Sequence, residues 1–371
     1  MHKALLLFIF VCSICTAQAQ QFSDTLDVNG VDRNFITYLP VNFDPQTESL
    51  PLVIVYHGLT MNNETLTFAG FNAIADTARL ILMYPQGLTN SFGQTSWNNE
   101  TGLSPMAEDI YFSNLLIDTA MLMYNIDLSR VYAAGVSMGS IMSYRLACDL
   151  NDRFAAIGCI FGPMATSVMA DCDPSYSTPI IHFHGTDDAT VPYDSNPLPT
   201  LSLATETIAW WENEKTCDGS MDSTRIADIA NDGLTTDRFV YNGCTADGSL
   251  EHWRTNGGDH DFYIQPVNDF NHFIETWKFL RKWQHPNPRN TLSTASFNTI
   301  EASIFPNPSS TSISLLFDQE KFKVEIYDLL GQLVLEVEDK KNIDINHLKE
   351  GVYQLVISTK EAITSQRFVV Q

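Results

Sequence analysis

The sequence predicts an α/β architecture, a mostly parallel sheet with helices on both faces, followed by a small β-sandwich. Three observations carry this. Apolar runs at 52–56, 80–84, 131–136, 155–161 and 179–183 have the pattern of strands buried on both faces, with helix-forming stretches between them. One run leads through Gly135-Val136-Ser137-Met138-Gly139 straight into a helix-forming stretch, 141–150. Beyond Ile304 short alternating strands and turns replace helices, the signature of a small sandwich.

Residues 1–19 have the layout of a secretory signal. Lys3 gives a positive start, Leu5 to Cys12 an apolar core, and Ala17-Gln18-Ala19 a small-residue cleavage site. That core is too short to span a bilayer, and no later stretch approaches the roughly 18 apolar residues a spanning helix needs. A secreted chain beginning near Gln20, without a transmembrane segment, is expected.

The large domain is expected over 20–286. Asp24 to Leu39 alternates enough for a hairpin. Leu52 to Tyr56 reads as a buried strand ending in His57-Gly58-Leu59-Thr60, followed by a helix over 65–78 and a strand over 80–84. A long helix over 106–124 precedes the nucleophile strand. Later come strands at 155–161, 179–183 and 251–254 and a helix at 268–283, with Trp210 and Trp211 expected to pack in the core from another helix. Residues 287–303, opening in a proline-rich segment, lack periodicity and read as a linker. Strands are expected over 304–371, where Phe322, Val324 and Ile326 alternate with charged residues, and at 333–337, 343–345, 352–358 and 366–370.

The formal net charge is −23, which excludes nucleic acid and anionic membranes as main partners because both would be repelled. Seven cysteines are present, two of them, Cys12 and Cys15, in the signal. Export permits disulfides. Cys217–Cys244 and Cys148–Cys172 are the expected pairs, and Cys159 the buried free thiol. Among the five cysteines beyond the signal no Cys-x-x-Cys pair occurs, so a structural zinc site is not expected.

A serine hydroxyl becomes a nucleophile when a base takes its proton and an acid orients that base. Ser137 sits at a strand-to-helix bend that exposes its hydroxyl. The best acid lies in His184-Gly185-Thr186-Asp187-Asp188, with Asp187 and Asp188 both open. The best base is His260, in a glycine-rich loop, with His252 as competitor. The oxyanion donors expected are the N–H groups of Met138 and Leu59, Thr60 being an alternative. Trp97 and Phe262 are candidates for the substrate cleft, His57 for fixing the oxyanion loop, and Asp109 for a helix-start carboxylate. This chemistry needs no metal or organic cofactor. The rival set is a zinc site from His182, His184, Asp187 and Asp188; a non-catalytic surface-binding protein is the third class.

At these residues the chain resembles the secreted α/β-hydrolase esterases grouped with polyhydroxybutyrate depolymerases and feruloyl esterases of carbohydrate esterase family one. The likeness runs from about Asp24 to Trp283. It includes Tyr84-Pro85-Gln86-Gly87, Glu108-Asp109-Ile110-Tyr111-Phe112, the pentad, His184 to Asp188, and Gly257-Gly258-Asp259-His260. It implies an acyl-enzyme mechanism with Ser137, Asp188 and His260, and it matches Cys217 and Cys244 to a family pair. Where the family continues past its histidine with Trp-Pro-Gly, this chain has Asp261-Phe262-Tyr263, and Phe262 is expected to replace the tryptophan. The implied substrates are feruloyl or acetyl esters of plant polysaccharide first, and polyester second.

The tail resembles the C-terminal sorting domain of type IX (Por) secretion. The matching residues are Phe305-Pro306-Asn307-Pro308, Ile326-Tyr327-Asp328-Leu329 with Gly331, Leu348 with Gly351-Val352-Tyr353, and Arg367-Phe368-Val369-Val370. This implies the type IX machinery as a partner and an extracellular or surface-attached product. A carbohydrate-binding module is the rival, but none of the six tryptophans lies here to build a sugar platform.

Overall fold

The computed structural model describes residues 19–104, 107–195, 198–244, 250–292, 302–316, 321–328, 333–359 and 363–371. Of the features expected above, the signal (save Ala19), Met106, most of the linker, Leu329 and Gly331 lie outside these residues.

The chain opens with an antiparallel hairpin, β1 (Gln20–Val28) and β2 (Val31–Leu39). Every residue of β3 (Leu50–Tyr56) is buried. Leu52, Ile54 and Tyr56 join one apolar core, while Val53 and Val55 join another, which is why the run shows no polar alternation. The single helix expected over 65–78 is two, α1 (Asn63–Thr67) and α2 (Phe71–Ala78). Gly70 lies between them at φ +125°, a conformation no helix continues through.

After β4 (Ile81–Pro85) comes a small hairpin, β5 (Leu88–Thr89) and β6 (Thr95–Ser96), which was not expected. Next are α3 (Asp109–Met123), β7 (Ile126–Val136), α4 (Met138–Asp149), β8 (Ala156–Ile160), α5 (Thr166–Asp171) and β9 (Ile180–Gly185). Then follow α6 (Ala204–Glu214), β10 (Met221–Arg225), β11 (Thr235–Tyr241), β12 (Leu250–Asn256) and α7 (His272–Leu280).

These strands form one sheet in the order β1-β2-β4-β3-β7-β8-β9-β12-β11-β10. Its centre, from β4 to β12, is parallel, and its flanks are antiparallel. Phe112, Ile141 and Trp211 cover one face from α3, α4 and α6; Phe71 and Phe273 cover the other from α2 and α7. This is the α/β-hydrolase fold. The β10–β11 hairpin escaped the sequence reading because all five residues of β10 are exposed and carry no apolar alternation.

Asp109 does more than favour a helix start. Its carboxylate is buried and pairs with Arg33 at 2.5 Å, while its other oxygen accepts the Asn98 N–H at 2.6 Å. A second buried pair joins Arg153 to Asp118 at 2.6 Å. Disulfides link Cys148 to Cys172 and Cys217 to Cys244; the Cys159 thiol is free, and burial raises its pKa. The start of the expected linker is tethered, since Arg289 donates from its backbone to Asp152 O and from its side chain to Asn114.

The tail contains β13 (Ser303–Phe305), β14 (Ser312–Leu316), β15 (Lys323–Tyr327), β16 (Leu333–Glu338), β17 (Asn342–Asp344), β18 (Gly351–Ser358) and β19 (Ile363–Val370). They form two sheets, β13-β14-β17 and β16-β15-β18-β19. Ile313 and Ile343 from one sheet share a core with Val324, Ile326, Leu355 and Phe368 from the other, which makes a small sandwich. Among the described residues no helix is long and apolar enough to cross a membrane.

Burial lowers the pKa of His252 and His272 from 6.5 to about 3, with His184 and Arg254 adding repulsion at His252. Both stay neutral in the fold, whereas the unfolded chain protonates them below 6.5. Stability should therefore fall as pH drops from 6.5 towards 3, by up to about 1.4 kcal/mol per pH unit for each group. Urea unfolding at pH 7.5 and pH 5 should show the lower midpoint at pH 5, with a smaller difference in His272→Gln.

Candidate active site

β7 delivers Ser137 to the carboxyl edge of the sheet, where ligands of parallel sheets bind. Ser137 takes φ +52° and ψ −119° and hands the chain to α4 within one residue. Such a backbone costs about 1–3 kcal/mol and persists only where the surroundings enforce it. The flanking glycines do so by close approach. A Cβ on Gly135 would lie 2.0 Å from Gly139 O, and one on Gly139 would lie 2.0 Å from Tyr56 O. The Ser137 N–H is fixed to Ile160 O at 2.8 Å.

His260 arrives from the loop after β12, with Nε2 2.9 Å from Ser137 Oγ. Its Nδ1 is 2.6 Å from Asp188 Oδ2. The other oxygen of Asp188 accepts the N–H groups of Thr190 at 2.9 Å and Val191 at 2.7 Å. Burial alone would raise the Asp188 pKa, but the hydrogen bonds with His184, His260 and Val191 outweigh it and hold the carboxyl well below the usual range. Asp187 is exposed, and among the described residues its carboxylate meets the Thr186 hydroxyl at 3.0 Å. His252 is buried in β12 opposite His182. Ser137, Asp188 and His260 thus come together, while Asp187 and His252 stand apart.

Met138 is the first residue of α4, so its N–H has no acceptor within the helix. Leu59 follows the His57-Gly58 turn at the end of β3 and lines the same cleft. Thr60 cannot supply the second N–H from its backbone, because that group donates to Thr95 O at 2.9 Å. His57 is buried, and burial lowers its pKa to about 4. Its Nε2 accepts the Gly87 N–H at 2.9 Å, and its Nδ1 faces Gly58 O at 2.7 Å, so the ring staples the loop that carries Leu59.

Trp97, expected in the cleft, is fully buried below it. Its indole N–H donates to His57 O at 2.8 Å and its ring meets Tyr56 edge-on. The β5–β6 hairpin, invisible in the sequence, folds it inward. Phe262 does line the cleft, against Phe161.

The cleft has a volume of about 650 Å³. Sequence reasoning missed much of its wall: Met61, Leu103, Ile141, Phe161 and the segment Leu198 to Leu201. Apolar residues on a helix face or in a loop look like core in a sequence, so nothing marked them. Phe161 packs edge-on against the His260 ring at 4.5 Å.

The rival zinc set is differently employed. His182 and His184 hydrogen-bond each other at 3.1 Å, Asp188 is engaged by His260, and Asp187 points elsewhere. Among the described residues no group of three or more His, Cys, Asp or Glu is placed to hold a metal.

The fold is that of the α/β hydrolases, and the line from Ser137 through His260 to Asp188 has the geometry of a candidate nucleophile, base and acid. More particularly, residues 34–179 match the family model described as Esterase PHB depolymerase, and residues 303–371 match the secretion system C-terminal sorting domain. The bifunctional acetylxylan esterase/xylanase XynS20E of Neocallimastix patriciarum is 23% identical over 76% of this chain and 37% of its own length. Feruloyl esterase D of Neurospora crassa is 22% identical over 70% of this chain and 85% of its own. The chain therefore spans little more than a third of the first of these relatives. The acetyl xylan esterase from Aspergillus awamori superposes with a TM-score of 0.50 at 16% identity, covering 70% of this chain and 99% of that one, a likeness of fold.

A fluorophosphonate probe should label Ser137, and peptide mapping would locate the adduct. Asp188→Asn should slow labelling by about 10⁴-fold, the loss seen when a triad acid can no longer orient its histidine. Asp187→Asn should label at the wild-type rate.

Proposed function

We propose that this protein is a secreted serine carboxylic ester hydrolase acting on feruloyl or acetyl esters of plant polysaccharide. One observation carries the reading: the unbroken hydrogen-bonded line from Ser137 through His260 to Asp188 at the wall of a largely apolar cleft. Ser137 Oγ attacks the ester carbonyl while His260 Nε2 takes its proton. The carbonyl oxygen gains negative charge and turns to the N–H groups of Met138 and Leu59. Collapse of the tetrahedral adduct expels the alcohol, which receives the proton from His260 and leaves an acyl group on Ser137. Water, deprotonated by His260, repeats the attack; the acid departs and Ser137 regains its proton. Asp188 holds the imidazole and balances its charge through both halves.

Two features favour an aromatic or otherwise bulky acyl group over acetyl. A cleft of about 650 Å³ is in the range, roughly 300–1,000 Å³, that holds a drug-sized ligand. Phe161 and Phe262 stand edge to face beside the nucleophile, a surface suited to a flat ring. The relative named feruloyl esterase D points the same way, while the relative named for acetylxylan ester cleavage keeps acetyl esters in the reading. Polyester is the second reading, favoured by the match of 34–179 to the polyhydroxybutyrate depolymerase model. The sorting domain directs the enzyme to the outer surface or the medium through the type IX machinery, where either polymer would be met.

Side-by-side assays on methyl ferulate, acetylated xylan and a short-chain polyester should give the highest kcat/KM on methyl ferulate, and Ser137→Ala should abolish it. A variant that keeps wild-type turnover without Ser137 would end the proposal. Preference for polyester would move the second reading into first place.

A further inference from the structure

Behind the triad acid lies a row of buried polar side chains that the steps above leave unused. The Tyr144 hydroxyl on α4 is 2.9 Å from His182 Nδ1. His182 Nε2 is 3.1 Å from His184 Nδ1. His184 Nε2 is 2.8 Å from Val191 O and 3.4 Å from Asp188 Oδ2. All three side chains are shut off from solvent.

The far end of the row fixes its direction. A carbonyl and a carboxylate oxygen only accept, so His184 Nε2 must carry a proton. With one proton on each ring, His184 Nδ1 accepts from His182 Nε2–H, and His182 Nδ1 accepts from the Tyr144 hydroxyl. Burial, with His184 and His252 nearby, holds His182 far below its ordinary pKa and therefore neutral. The other groups that face the row are Asp188, Tyr193 packed on His184, His252 packed on His182, and Cys159 paired with His182 across β8.

Val191 makes the row more than a satisfied core. Its carbonyl accepts from His184, while its N–H donates to Asp188 Oδ1. His184 thereby ties the 188–191 turn to β9 and aims an N–H towards the oxygen that faces His260. We infer that His184, set in place by His182 and Tyr144, is a positioning residue that holds the Asp188 carboxylate against the His260 ring. The inference rests on the ester-hydrolase reading of Ser137, Asp188 and His260.

The test compares His184→Phe, His184→Gln, Tyr144→Phe and the double variant Tyr144→Phe/His184→Phe in the full chain. Steady-state kinetics on a p-nitrophenyl ester are read beside circular dichroism and thermal melting. His184→Phe should lower kcat between about tenfold and a hundredfold, the effect of a roughly 1 Å misplacement, with KM within about twofold. His184→Gln, whose amide keeps one donor and one acceptor, should recover most of that loss. Tyr144→Phe should lower kcat by a few-fold, and should lower it no further when His184 is already phenylalanine, because the two act through one path.

A folded His184→Phe with wild-type kcat overturns the inference. So does a His184→Gln as impaired as His184→Phe, since the loss would then follow packing and not the hydrogen bonds. If His184→Phe does not fold, a folded Tyr144→Phe decides: reduced kcat at constant KM supports the row, and unchanged kcat overturns it. Ser137→Ala separates the two levels. Persistent hydrolysis there removes the ester-hydrolase reading and the positioning role together, whereas an inactive Ser137→Ala beside a fully active His184→Phe removes only the positioning role.

Discussion

The closeness of three backbone segments governs the rest of this structure. At the top of β7 the chain reverses into α4 with room for hydrogen alone at Gly135 and Gly139, the latter pressed on the carbonyl of Tyr56 at the end of β3. That crowding sets the left-handed backbone of Ser137 and brings the first amide of α4 beside the loop that carries Leu59. The candidate nucleophile and candidate oxyanion donors are therefore placed by one packing event between β3, β7 and α4. Substituents at either glycine would have to be accommodated by moving backbone, which is stiff, and not side chains, which repack.

Much of this was legible in the sequence. A pentad with glycine at both flanks of a serine, between an apolar run and a helix former, states the steric demand in residue types. The parallel centre of the sheet was legible because strands buried on both faces carry uninterrupted apolar runs, as Leu52 to Tyr56 do. The choice of Asp188 over Asp187 was legible only through the family resemblance, not from the residues themselves. Two adjacent carboxylates are equivalent in one dimension, and only the turn that sends one inward, where Thr190 and Val191 amides meet it, tells them apart. Trp97 was misjudged for a similar reason. Large aromatics in loops face either way, and a two-residue hairpin without a strand signature turned this one under the oxyanion loop. The exposed strand β10 carries no apolar face at all, so nothing in its residue types could reveal it.

The buried histidines share a logic. His57, His182, His252 and His272 are kept uncharged by burial and act as fixed hydrogen-bonding joints, each nitrogen able to serve as donor or acceptor but not both. His57 joins the ends of β3 and β4, and His272 accepts the Tyr263 N–H in the loop beyond His260. His260 differs in being partly open to the cleft. In a region with few lysines and arginines, imidazole supplies directional contacts without adding to the charge balance.

The cleft wall has a further consequence. Its described lining contains neither lysine nor arginine, and Asp261 stands beside His260 at the opening. Every turnover of an ester converts a neutral group into an anion. Here that anion would find no cation to anchor it and a carboxylate at the exit, within a strongly acidic chain. On the proposed ester-hydrolase reading, substrate would enter by burying apolar surface and the acid formed from it would leave by electrostatic repulsion, the same walls serving both steps.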